Sequence, residues 1–169
     1  MKWATYSCGI LLVVLGTQAQ AVEDCDLLGS LEADPLSVSP SVSFENIRSI
    51  ELIEACTAAI EQQSFDQARF YLLRARGHLR AGSLELAVKD ITHSHEMGYA
   101  AATFAMATLY HFGEAIPQDL ARASLLYEQA YNDGVVWAAR GLSVLYEDFS
   151  FEEYSPEQSS KWLKRFEQP

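Results

Sequence analysis

The chain has 169 residues, 49% hydrophobic and 21% charged, which excludes a disordered polar polymer and leaves room for one ordinary domain core. Twelve Lys and Arg face 23 Asp and Glu, a net charge of −11. Such a chain repels a phosphate backbone or an anionic bilayer, so nucleic acid is not an expected partner.

Residues 1–21 read as a secretory signal peptide. Lys2 gives a weak positive start, Gly9 to Gly16 is a short apolar run, and Ala19-Gln20-Ala21 is a small-x-small cleavage site. A membrane anchor needs about 20 apolar residues, and Thr17, Gln18 and Gln20 end this run early. Cleavage after Ala21 sends a mature chain to the periplasm or beyond, with no membrane insertion. Cys8 and Cys25 both lack the small-residue context of a lipidated cysteine. Loss of Cys8 leaves Cys25 and Cys56, and an even pair in an exported chain reads as a disulfide. The bond would close a loop of 31 residues. In the chain-entropy model that contributes about 3–4 kcal/mol. Two free thiols are the alternative; a catalytic thiolate would need a general base, and no His is near either cysteine in sequence.

Residues 22–43 read as an irregular strap, because Pro35, Pro40 and the run Ser37-Val38-Ser39-Pro40-Ser41-Val42-Ser43 oppose a long element. Ser43 to Asn46 is a candidate cap for a first helix. There Ile50, Ile53, Cys56 and Ile60 recur at three- and four-residue spacing. Further helices are predicted over 67–81, 84–97, 100–112, 119–133, 137–147 and 156–166, with breaks marked by Gly82, Gly98 and Gly134. The prediction is all-α, about seven helices and no strand.

Shifted by 36, the sequence matches itself. Gly98 falls on Gly134, Ala102 on Ala138, Met106 on Leu142, Tyr110 on Tyr146, Leu126 on Trp162 and Tyr127 on Leu163. A period of this length signals one helix–turn–helix unit repeated and stacked. Small residues recur where helix backbones must approach: Ala75, Ala87 and Ser94 in one unit, Ala107, Ala123 and Ala130 in the next.

Residues 98–134 carry Ala107, Tyr110, Gly113, Ile116, Asp119, Ala123, Ala130 and Gly134. This pattern closely resembles a Sel-one-like repeat. Ala115 stands where the family usually has a second loop glycine, and Leu126 where Trp is frequent. The unit 135–169 keeps Ala138, Leu142, Tyr146 and Trp162, but its loop has lost both glycines. The unit at about 68–98 is similar to a tetratricopeptide repeat through Ala75, Gly82, Ala87 and Asp90-Ile91. The N-terminal portion with Cys25 and Cys56 looks like that of secreted bacterial members. The resemblance implies a right-handed α-solenoid over 44–169 that binds or scaffolds proteins without chemistry or cofactor of its own.

Histidines and carboxylates give no strong catalytic or metal signal. His93 and His95 are two apart on one helix and diverge; zinc pairs are usually four apart. His78 and His111 lie at equivalent turns of successive first helices, and helix side-chain directions oppose a shared metal. Glu147-Asp148 and Glu152-Glu153 sit in a polar loop without an opposing acid. Arg69, Arg76 and Arg80, spaced 7 and 4, share one helical stripe. The same face of the following first helices carries Phe104, Thr108, His111, Phe112, and then Trp137, Arg140, Val144. Arg74 lies off the stripe and is expected to brace Asp90 or another local acid. Two readings stand for the stripe: a groove binding an acidic peptide or protein partner through Arg69, Arg76, Arg80, Phe104, His111, Phe112, Trp137 and Arg140, or internal ion pairing. The expected function is an exported, non-catalytic interaction module. A small periplasmic hydrolase or enzyme subunit is one alternative. A structural protein that self-associates through the end near Trp162 and Phe166 is another.

Overall fold

A computed structural model describes residues 20–62 and 66–169; the signal-peptide reading of 1–21 falls almost wholly outside them. Every described regular element is helical. Residues 20–29 are helical (α1), a 3₁₀ turn spans Phe44–Asn46, and seven helices follow. These are α2 Ser49–Glu61, α3 Gln67–Arg80, α4 Leu84–Glu96, α5 Ala100–Phe112, α6 Leu120–Asn132, α7 Trp137–Leu145 and α8 Pro156–Glu167.

The 36-residue period is written in the backbone. The second helices start at Leu84, Leu120 and Pro156, each 36 residues after the last. Asp119 accepts from the Arg122 amide at 2.9 Å and donates its own amide to the Tyr110 carbonyl at 2.9 Å. One period on, Ser155 accepts from the Gln158 amide at 3.2 Å and donates to the Tyr146 carbonyl at 3.0 Å. The loop before α8 has therefore kept its length and closure while losing its glycines. Gly98 and Gly134 end α4 and α6 with φ of 81° and 97°, a left-handed conformation glycine adopts without steric cost.

Small residues set the packing distance. Ala75, Ala87, Ala107, Ala123, Ala130 and Ala138 are all fully buried. Ser94 is too, and its hydroxyl donates to the Ala68 carbonyl at 2.6 Å. Three successive cores run along the stack, each formed between neighbouring helices, as expected when no unit can bury its own apolar face. The first helices α5 and α7 touch directly. Helices α5 and α7, first helices of successive units, thus lie side by side on one face of the stack, the inner face.

The N-terminal segment differs from the irregular strap expected from its prolines and serines. Residues 22–29 belong to α1, which spans the predicted cleavage point after Ala21. The Cys25 and Cys56 sulfurs lie 2.09 Å apart, a disulfide that fastens α1 to α2, and both residues are fully buried. Gly29 lets α1 settle closely: a Cβ there would stand 2.6 Å from Leu52 Cδ1 and 3.1 Å from Leu73 Cβ. Only 30–43 is irregular. It is pinched shut by the Val42 amide donating to the Ser30 carbonyl at 2.8 Å. The Tyr99 hydroxyl holds it to the stack by donating to Asp34 at 2.6 Å. The predicted Ser43 cap makes no side-chain capping bond, and α2 begins only at Ser49, beyond the 3₁₀ turn.

Candidate functional site

Two members of the arginine stripe face their own chain. Arg69 is 8% exposed and grips Asp26 of α1 with Nε at 2.9 Å and Nη2 at 3.1 Å, with Asp66 at 3.4 Å. Burial pulls the Arg69 guanidinium down, but the hydrogen bond and charge of Asp26 outweigh it and hold Arg69 above the usual arginine range. Burial also works to raise the Asp26 carboxyl, against the same bond. With two donors on two oxygens at these distances, the ion pair is the state the geometry supports. Arg76 donates to the carbonyls of Gly29, Ser30 and Val42, the latter two at 2.8 Å. With no acid beside it, burial lowers Arg76 to about 10. It is still protonated at neutral pH, and its donors serve the last turn of α1 and the strap. The expectation that Arg69 and Arg76 present cations to a partner is therefore corrected. The first segment of the chain lies over α3 and consumes both. Arg80, at the exposed end of α3, lines neither of the hollows described below.

Arg74 braces Asp90 as expected, with bonds of 2.7 and 2.8 Å, and a third donor reaches the Thr57 hydroxyl at 3.2 Å. His78 stands 3.7 Å from the same carboxylate, and burial lowers its pKa against the pull of Asp90. Among the described residues, no three His, Cys, Asp or Glu side chains are grouped to hold a metal ion.

The remaining candidates do meet. Phe104, His111 and Phe112 of α5 and Trp137 and Arg140 of α7 line one pocket of about 190 Å³, with Thr108 and Val144 beside them. Tyr127 of α6 and Gly141 complete it. These two were missed in the sequence, although a glycine inside a helix opposite a large aromatic was a usable signal. A Cβ at Gly141 would stand 2.6–2.9 Å from the Tyr127 ring, so only glycine lets that ring lie against α7. Tyr127 is 2% exposed and its ring stands edge-on to His111 at 5.8 Å. His111, 4% exposed, stacks on Phe112 at 4.4 Å. Burial lowers the His111 pKa and pushes the Tyr127 phenol up to about 12. The pocket floor is neutral at pH 7. Arg140, on the exposed face of α7, is the one cation lining it, and it makes no ion pair among the described residues.

Trp137 also walls a larger cleft of about 710 Å³, whose other side is the strap from Leu31 to Ala33 and Ser41 to Glu45, with Arg76 at its base. Pocket and cleft share Trp137, so they are neighbours on the inner face. The Trp137 ring is steadied by Phe166 of α8, edge-on at 5.1 Å.

A crystal structure of a Sel1 repeat protein from Oxalobacter formigenes superposes with a TM-score of 0.59 over 70% of this chain. The chain has the fold of a Sel1-like repeat protein. Sequence identity to that structure is 18%, and the chain spans about half its length, 49%. No family model matches the sequence, and no curated protein matches it. Sel1-like stacking accounts for the inner face: first helices of successive units, α5 and α7, are brought side by side, and residues 30 apart in sequence close one pocket.

Proposed function

We propose that the chain is an exported, non-catalytic interaction module that holds a protein or peptide partner on its inner face. The α5–α7 pocket would take an apolar anchor from the partner. The observation that carries this is the convergence of three helices on one apolar hollow that shares Trp137 with a larger cleft. Its volume suits a buried side chain, and aromatic walls of this kind concentrate binding energy. With Arg69 and Arg76 occupied, the attraction to acids reduces to Arg140, while Glu32 and Glu45 line the strap side of the cleft. The partner is thus amphipathic rather than simply acidic. The pocket lining has no carboxylate to pair with His111 and Tyr127, which favours binding over acid–base chemistry. Export is supported by the Ala19-Gln20-Ala21 site and the buried disulfide; among the described residues no helix is long and apolar enough to cross a membrane. Self-association through the C-terminal end has less support, because Trp162 packs edge-on to Tyr131 at 5.2 Å and Phe166 on Trp137.

The test is site-specific photo-crosslinking in the native host. A crosslinker at Phe112, exposed at the pocket rim, is compared with one at Leu125, exposed on α6. The partner should be captured from Phe112 alone. Val144→Arg, which fills the pocket, should abolish capture without lowering Tm. Equal capture from both positions, or capture indifferent to Val144→Arg, overturns the reading.

A further inference from the structure

Pocket and cleft meet at one residue, and their charges differ in sign. Trp137 is the first residue of α7 and the one residue of that helix on the strap-side cleft. The pocket continues along the same helix through Arg140, Gly141 and Val144. At 1.5 Å per residue, Arg140 stands about 4.5 Å and Val144 about 10 Å farther along the axis. The cleft therefore abuts the N-terminal end of α7, and the pocket lies beyond it. On the cleft, Glu32 and Glu45 are exposed and make no ion pair among the described residues. Arg76, the cation at the cleft base, spends its donors on strap carbonyls. On the pocket, Arg140 is exposed and equally unpaired, and no salt bridge joins it to either glutamate. Each exposed sign lines one hollow, and Trp137 is common to both.

We infer that the inner face selects a dipolar partner segment: an apolar side chain in the pocket, an acid on one flank at Arg140, and a lysine or arginine on the other flank in the cleft. This rests on the inner-face binding reading and adds the order of charges around the anchor. Complementary charges across an interface fix register, and like charges set against each other reject wrong partners. The cleft suits the base. A long aliphatic stem can lie against Leu31, Val42 and Phe44 while its charged head meets Glu32 and Glu45. A guanidinium can also lie over the Phe44 or Trp137 ring. A uniformly acidic segment would be opposed by Glu32 and Glu45. A uniformly basic one would be opposed by Arg140, although the net charge of −11 attracts it from a distance. The face thus reads charge order and not net charge. The order holds whichever end of the segment enters first, since it is counted outward from the anchor.

The experiment uses three peptides that share one phenylalanine: acetyl-Lys-Lys-Gly-Phe-Gly-Asp-Asp-amide and its counterparts with lysine, or with aspartate, on both flanks. Each is titrated into the folded protein, disulfide intact, and followed by NMR. The salt is about 0.15 M, where a Debye length of about 8 Å screens the overall charge. The backbone amide of Gly141 reports the pocket and that of Phe44 the cleft. The mixed peptide should shift both amides and bind at least about three-fold more tightly than either uniform peptide. Arg140→Glu should pass the preference to the all-lysine peptide. Glu32→Lys together with Glu45→Lys should pass it to the all-aspartate peptide. All three positions are exposed, and a Tm equal to the parent's confirms that the variants keep the fold. Equal affinities with both amides shifted, or a preference that the variants leave in place, would overturn the charge order and leave inner-face binding standing. Failure of all three peptides to shift those amides would also overturn it, while the partner-capture experiment from Phe112 judges the wider reading separately.

Discussion

Arg76 illustrates how far a single residue can be followed from sequence. Its position on one stripe with Arg69 and Arg80 is a matter of helix geometry, and α3 honours it. What the stripe faces was not legible, because the answering groups lie 34 to 47 residues away in the strap and α1. Arg69 pairs with Asp26, as internal ion pairing has it, whereas Arg76 meets backbone carbonyls and no acid. Arg76→Ala should accordingly destabilise the fold. It removes charge-assisted donors from three backbone carbonyls, and a loss of about 2–4 kcal/mol is expected. Urea unfolding of the exported protein measures it. Stability within about 0.5 kcal/mol of the parent would mean that the strap does not depend on Arg76. By contrast, the aromatic half of the predicted face was legible because it is local in the repeat: Phe104, His111, Phe112, Trp137 and Arg140 recur on equivalent turns and converge.

At the scale of elements, helices α2 to α8 were readable from period and glycine breaks, since those signals are local. Helix α1 was not, because it is only about ten residues long and runs directly into the proline- and serine-rich stretch 35–43. A signal was present: Val22, Cys25 and Gly29 stand three and four residues apart, and that face packs on Leu52 and Leu73. The disulfide is the covalent part of the same joint. Its 31-residue loop corresponds to about 3–4 kcal/mol in the chain-entropy model. Cys25→Ser, Cys56→Ser and the double variant should therefore lose similar stability, since any one of them opens the same loop. Differential scanning calorimetry of the three side by side decides this. Single variants that retain the parent's Tm would show that packing of α1 on α2, and not the bond, holds the joint.

For the whole molecule, the stability curve should bend on mild acidification. Burial lowers the pKa of both His78 and His111 from the ordinary 6.5. The unfolded chain, with ordinary imidazoles, then binds protons more readily than the folded one. Stability is fullest above about pH 6.5 and falls as pH drops toward the lowered folded-state values. Between pH 7.5 and 5.5 the loss should be on the order of 1 kcal/mol, before the carboxylates begin to titrate. His111→Gln should flatten part of that slope; an unchanged slope would place the effect elsewhere. The regular spacing of Leu84, Leu120 and Pro156 has one more consequence. The α5–α6 unit packs against α4 on one side and α7 on the other. Thirty-six residues therefore act as a cassette. Duplicating or excising one would lengthen or shorten the inner channel by a fixed step, and the reach of the molecule along a partner becomes a quantity counted in whole repeats.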